Sequence, residues 1–329
     1  RRWKLAGATR RVGTCGAPRM RPPLREKALP VLVLAVLAAA PFLGFGDGFA
    51  LTLLARGMIL GMAAIGLALL VGGAGLASLG HAATLGIGAY AVASLDAVGI
   101  DRAGIVFPVA IAAAALFAGV TGAVSLRTSG VHFIMITLAF GQMAFFTASS
   151  LSFLGGDDGY TLYGRTTVFG AGLLQNRLAF HFVCLGLLAL VWLICSMVLD
   201  SRFGRVLQAA RDNPLRVRAL GFSPYPYRLI ACTLAGGIGG LAGVLLANAT
   251  EFVSPATLAW TRSGELLFMV ILGGASRLYG GLLGALAFVL LEEWLSGLLT
   301  YWRLLFGPLL ILAVLFLRGG LAGLGRRDG

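Results

Sequence analysis

Charge is what the chain has least of. Only 12% of its 329 residues are Asp, Glu, Lys or Arg, against about 25% in an ordinary soluble domain. Acidic residues number 13, histidines three and cysteines four, and the only lysines are Lys4 and Lys27. So few charges, with 58% hydrophobic residues and a mean hydropathy of +0.91, exclude a soluble globular domain and place the chain in a membrane. The two lysines exclude a P-loop, which needs Lys directly after Gly to reach the terminal phosphates; these follow Trp3 and Glu26. Cys15, Cys184, Cys195 and Cys232 form no CxxC pair, and His81, His132 and His181 form no HxxxH pair, so no metal site is expected. No paired catalytic carboxylates or nucleophile elbow stand out, so the chain is not expected to be an enzyme or to bind a cofactor of its own. The formal charge of +13 comes from short basic islands without a basic-aromatic array, which excludes nucleic acid as a partner.

What is present is a series of apolar runs. Interrupted by polar or Gly/Pro stretches, they predict an all-α, polytopic membrane protein of about ten transmembrane helices, near 29–46, 50–71, 82–98, 104–126, 131–151, 178–199, 227–249, 263–273, 281–298 and 304–317. A transmembrane domain therefore covers 29–318. Residues 1–28, with nine Lys/Arg against the single acid Glu26 and prolines at 18, 22 and 23, read as a basic, disordered cytoplasmic tail, and 319–329 as a second tail. With the amino terminus inside, twenty of the 26 Lys and Arg fall on the inner side and six, Arg56, Arg102, Arg165, Arg177, Arg262 and Arg303, on the outer. That bias predicts both termini in the cytoplasm.

The richest basic island between spans is 200–226 with Arg228, between the sixth and seventh. Phe203 to Asp212 reads as a helix; Asn213 followed by Pro214 reads as a cap and first turn, and Gly221 as the stop of a second short helix. Two readings stand: a topology signal beside anionic lipid, or a docking element whose arginines and apolar side chains meet a cytoplasmic protein.

FGRVLQAARDNPLRVRALG, at 203–221, resembles the cytoplasmic coupling segment of the permease subunits of branched-chain amino acid ABC transporters. Four further stretches are similar to that family in the same order: GGAGLASLGHAATLGIGAYAVA at 72–93, LRTSGVHFIMITLAFGQM at 126–143, GGDDGY at 155–160, and FVSPATLAWTRSGELLFMVILGGASRLYGGLLGALAF at 252–288. The likeness is greatest to the M-type of the two permeases that such systems pair. It implies an inner-membrane importer of leucine, isoleucine or valine, in which this chain forms half of the pathway. It also implies a related second permease, two cytoplasmic subunits that hydrolyse ATP, and a soluble binding protein outside. The implied ATPase-docking residues are Arg205, Arg211, Asn213, Arg216, Arg218, Ala219, Leu220 and Gly221. Two positions depart from the family: Arg218 stands where Glu is frequent before ALG, and Gln142 where TLAFGE is common.

Glycines at 72–88 allow either plain helix packing or a broken helix lining the pathway. On the second reading Gly75, Ser78, Gly80, His81, Thr137 and Gln142 are the candidate pathway residues. The outer loop 152–177 holds Asp157 and Asp158, which are either a solvated turn or a contact for the binding protein. The GGA stretches at 72–74 and 273–275 suggest a parallel internal repeat. Permeases for urea or short amides remain an alternative, as does an ion-coupled carrier. The latter would use Asp96, Glu265, Glu292 or Glu293, all expected near the outer ends of their spans.

Overall fold

The computed structural model describes residues 24–42, 48–167, 175–275, 277–298, 307–308 and 320–321, and these are mostly helical. In chain order the helices are α1 (Leu24–Ala39), α2 (Gly48–Ala68), α3 (His81–Ala97), α4 (Ala103–Ser125), α5 (Val131–Ser150) and α6 (Arg177–Asp200). They continue with α7 (Arg202–Asp212), α8 (Pro214–Ala219), α9 (Pro224–Thr250), α10 (Trp260–Gly273) and α11 (Leu278–Leu298). The last turns of α2 widen into a π-helix, Leu69–Ala74. Within the described residues each expected span from 29 to 298 overlaps one of these helices, and residues 43–46 of the first lie outside them. The expected tenth span, 304–317, lies outside the described residues apart from 307–308, as do most of both tails.

Among the described residues, six helical stretches are long and apolar enough to cross a bilayer: Gly48–Ala74, Ala103–Ser125, Val131–Ser150, Arg177–Asp200, Pro224–Thr250 and Leu278–Leu298. α1, α3 and α10 are shorter. α2 and α9 form the centre and are mostly buried, whereas α4, α5 and α6 turn apolar side chains such as Leu116, Val120, Met143, Phe146 and Leu190 outward. Lipid gives no hydrophobic drive for helix association, so small residues that admit close packing take that role. On α9, Gly236 and Gly240 lie against Ala110, Ala114 and Ala118 of α4, and a Cβ added at Gly240 would come 2.5 Å from the Ala114 methyl.

One end of the bundle carries α7 and α8. The other carries a two-stranded antiparallel sheet, β1 (Tyr160–Thr161) with β2 (Phe252–Val253), in the register Tyr160 opposite Val253 and Thr161 opposite Phe252. That sheet ties the loop after α5 to the loop after α9. Two helices do not begin at either end. After the left-handed turn at Gly75 (φ 70°), residues 75–80 climb into the bundle, and α3 starts where His81 Nε2 lies 3.2 Å from the Ala63 carbonyl, near the middle of the continuous helical stretch Gly48–Ala74. The chain also re-enters after α9, through a 3₁₀ turn at Pro255–Leu258. It then begins α10 so that Ser263 Oγ accepts the Ala82 amide at 3.0 Å. Both helices thus start near mid-depth. Irregular backbone at such a depth is tolerated only where protein or a cavity satisfies it.

The repeat expected from the two GGA stretches takes a different form. Both stretches end helices near positive-φ glycines, Gly75 and Gly274, but the chain climbs to mid-depth only after the first. The correspondence the fold displays is inverted: α2 and α9 run in opposite directions, and each is followed by an interruption and a helix that starts near mid-depth.

Candidate docking segment and solute pathway

Ser201 caps α7 by accepting the Gly204 amide at 3.3 Å. Asn213 caps α8 by accepting the Arg216 amide at 3.0 Å, with Pro214 in the first turn. Gly221 (φ 84°) closes α8: its amide reaches the Arg218 carbonyl and the Phe222 amide reaches that of Val217, the paired bonds of a Schellman stop. Gly204, Leu207 and Ala210 of α7 and Val217 of α8 are buried against the bundle. Leu215 and Leu220, 72% and 71% exposed, stand outward beside Ala219, Arg205, Arg216 and Arg218. Arg211 is used differently: its guanidinium donates to the Gly72 carbonyl and to Asp212, and its stem lies over Gly75. Arg228 donates to the Ala210 carbonyl at 2.9 Å. These two arginines hold the corner on the bundle, and Arg205, Arg216 and Arg218 face outward with the leucines.

Ser78, Gly80, His81 and Thr137 line one recess, joined there by Thr84 and Thr121. A Cβ at Gly80 would lie 2.3 Å from the Thr137 carbonyl, so only glycine lets the interruption pass α5. The Ser78 hydroxyl accepts the Gly80 amide at 3.3 Å, and the Thr84 hydroxyl donates to the His81 carbonyl at 2.7 Å. Gly75 lies outside this recess, beneath Arg211, and Gln142 sits half-buried on α5 one residue beyond Gly141, which packs on Gly80.

Sequence reasoning missed the pairing of the intramembrane charges. Arg56 Nη2 donates to both carboxylate oxygens of Glu292, at 3.3 and 3.2 Å, and Arg262 donates to Glu265 at 2.7 Å. Arg56 and Arg262 were expected among external charges and Glu265 near the end of its span. Glu265 instead lies close to mid-depth, two residues beyond the serine that meets α3, because α10 starts inside the bundle. The only sequence signal was an arginine, Arg56, inside the expected apolar run 50–71. Asp96 is engaged at the sheet end, accepting from the Tyr160 hydroxyl at 3.2 Å and the Tyr163 amide at 3.1 Å. Desolvation, and then the Asp96 carboxylate, raise the Tyr160 phenol above its ordinary pKa. Glu293 is half-buried.

Asp157 and Asp158 are both exposed, in a 3₁₀ turn flanked by Gly155, Gly156 and Gly159, all with positive φ. The loop is fastened rather than loose. Arg165 pairs with Glu251 at 2.8 Å and lies over the Phe180 ring, while buried Asn248 accepts the Thr166 amide at 2.8 Å. Residues 168–174 of the expected loop lie outside the described residues. Among the described residues no group of three or more His, Cys, Asp and Glu is arranged to hold a metal.

Residues 49–315 match the family described as the permease component of the branched-chain amino acid transport system. The high-affinity branched-chain amino acid transport system permease protein LivM of Escherichia coli (strain K12) is 28% identical over 91% of this chain and 75% of its own length. A probable branched-chain amino acid transport permease, LivM of Methanocaldococcus jannaschii, is 34% identical over 34% of this chain and 33% of its own. The autoinducer 2 import system permease protein LsrC of Salmonella typhi is 28% identical over 42% of this chain and 44% of its own. No solved structure matches the chain.

Proposed function

Because the chain belongs to the permease family of branched-chain amino acid transport systems, we propose that it forms half of an import pathway for leucine, isoleucine or valine across a bacterial-type inner membrane. ATP is hydrolysed on two separate cytoplasmic subunits, and a second, related permease supplies the other half of the pathway. On this reading the membrane domain has ten spans with both termini in the cytoplasm, a topology supported by twenty of 26 basic residues falling on that side. The end with α7 and α8 then faces the ATPases. The loop 152–177, with Asp157 and Asp158, faces a soluble binding protein. Solute passes the recess of Ser78, Gly80, His81 and Thr137.

The observation that carries the reading is the capped corner at 201–222. A topology signal needs only positive charge. Here Ser201, Asn213 and the Gly221 stop fix two short helices, Arg211 and Arg228 secure them, and Leu215, Leu220, Arg205, Arg216 and Arg218 are left facing outward. Apolar side chains ringed by arginines suit a protein cleft better than water or lipid head groups. Replacing Arg205, Arg216 and Arg218 together with Glu is expected to abolish ATP-driven leucine uptake in membrane vesicles and to reduce co-purification of the ATPases, with insertion unchanged. Wild-type uptake by a well-inserted triple variant would leave the corner as a topology signal.

A further inference from the structure

We infer that this chain carries a solute-binding site of its own, a recess among α2, α3, α9 and α10 in which Arg56 receives the carboxylate and Glu265 the ammonium group of an aliphatic α-amino acid. The inference rests on the transport reading above and names residues that select the solute.

Arg56, Arg262 and Glu265 line this recess together with Leu60, Leu246 and Met269. Its walls are therefore aliphatic, with charges of both signs set into them. Arg56 spends one nitrogen, Nη2, on Glu292, so its remaining N–H donors can meet a carboxylate. Glu265 spends Oε2 on Arg262, leaving Oε1 to accept from an ammonium group. The side chains of Arg56 and Glu265 are 36% and 37% exposed, so neither is sealed into the bundle.

Depth gives this arrangement its weight. Arg56 is eight residues into α2, roughly 12 Å along it by helical rise. Arg262 and Glu265 flank Ser263, which bonds the start of α3 near mid-depth. Charges at such depth are costly and face a cavity or a partner rather than lipid. If they served only to brace helices, an apolar contact of similar size would do as well or better. As two ion pairs they sum to zero net charge, so a zwitterion enters without adding net charge, and its two ends find partners of opposite sign. A carboxylate or an amine alone would leave one of those partners unmet, and urea, being uncharged, would use neither.

The test uses the complete transporter, with its ATPases, second permease and binding protein, in proteoliposomes. Initial rates of radiolabelled L-leucine uptake are measured for wild type, Glu265→Gln and Arg56→Gln, with ATPase activity stimulated by the binding protein as a second readout. Each variant is expected to lower uptake by about ten- to a hundredfold, as loss of a charge-assisted bond does, while ATPase activity stays near wild type. Leucine uptake within about twofold of wild type in both variants would overturn the site. On the wild type, loading the vesicle interior with L-leucine, 4-methylpentanoate or isoamylamine keeps the probes on the permease side, away from the binding protein. Only leucine is expected to slow net uptake, and equal slowing by either singly charged analogue would overturn the site even if the variants fail to assemble. A wild-type complex that moves an uncharged amide but no leucine would sink this site and the branched-chain substrate with it, and leave ATP-driven transport standing. No ATP-driven uptake of any solute would instead remove the reading beneath it.

Discussion

Two glycines in the same bundle show how differently one residue type is used. A Cβ at Gly243 would lie 1.9 Å from the Leu85 carbonyl and 2.9 Å from the Ala89 amide, both backbone atoms, whereas one at Gly186 meets nothing within 4 Å. Side chains can swing aside, but helix backbones cannot without separating α3 from α9. Gly243→Ala is therefore expected to cost more than about 1–3 kcal/mol and to reduce the yield of monodisperse protein in detergent. Gly186→Ala should be neutral or raise the melting temperature, since alanine favours helix by up to about 1 kcal/mol. Equal thermal stability of the two variants by fluorescence-detected size exclusion would contradict this. The sequence does not separate them, because both sit in apolar runs and their difference lies in a partner helix far along the chain. The arginines of 201–228 behave in the same way. Their common sign is plain from composition, but that Arg211 turns inward to Gly72 while Arg216 turns out depends on where α2 ends.

At the scale of elements, α8 has only six residues, far below the length at which a helix persists unaided. Its existence depends on Asn213 at one end and Gly221 at the other. Asn213→Ala removes the bond to the Arg216 amide and should destabilise the corner by about 1 kcal/mol. Leucine uptake should then fall several-fold with normal assembly; unchanged uptake would mean that the cap is dispensable. These signals were legible because capping is local: Asn-Pro and Leu-Gly act within four residues. Helix positions were legible for a similar reason, as apolar runs end at polar or glycine-rich stretches. The starting depth of a helix is not local. Nothing in WTRSGELL says that α10 begins near the middle of the bundle rather than at its surface, since that follows from Ser263 meeting Ala82 across 181 residues. The Arg56 pair with Glu292 spans 236 residues and is hidden in the same way.

For the whole molecule, the two interruptions decide where water can go. Ser78 is 8% exposed in this chain yet lines the recess beside α3, and Cys232 lines the same recess. With Cys15 and Cys232 replaced by Ala, Ser78→Cys is expected to react with a small water-soluble methanethiosulfonate in intact membranes. Cys184 and Cys195, buried on α6, should stay unlabelled. No labelling at position 78 would mean that the recess is dry in the assembled transporter.

The Ser263 to Ala82 bond has an electrical consequence as well. It brings the beginnings of α3 and α10 to the same depth, and each helix beginning carries about half a positive elementary charge on its unpaired amides. In a medium of low dielectric constant, two such partial charges side by side repel sodium, potassium and hydronium at that depth. On the proposed transport reading, a pathway built over this pair would keep the membrane electrically tight while admitting solutes without net charge, so that import would leave the proton-motive force undrained.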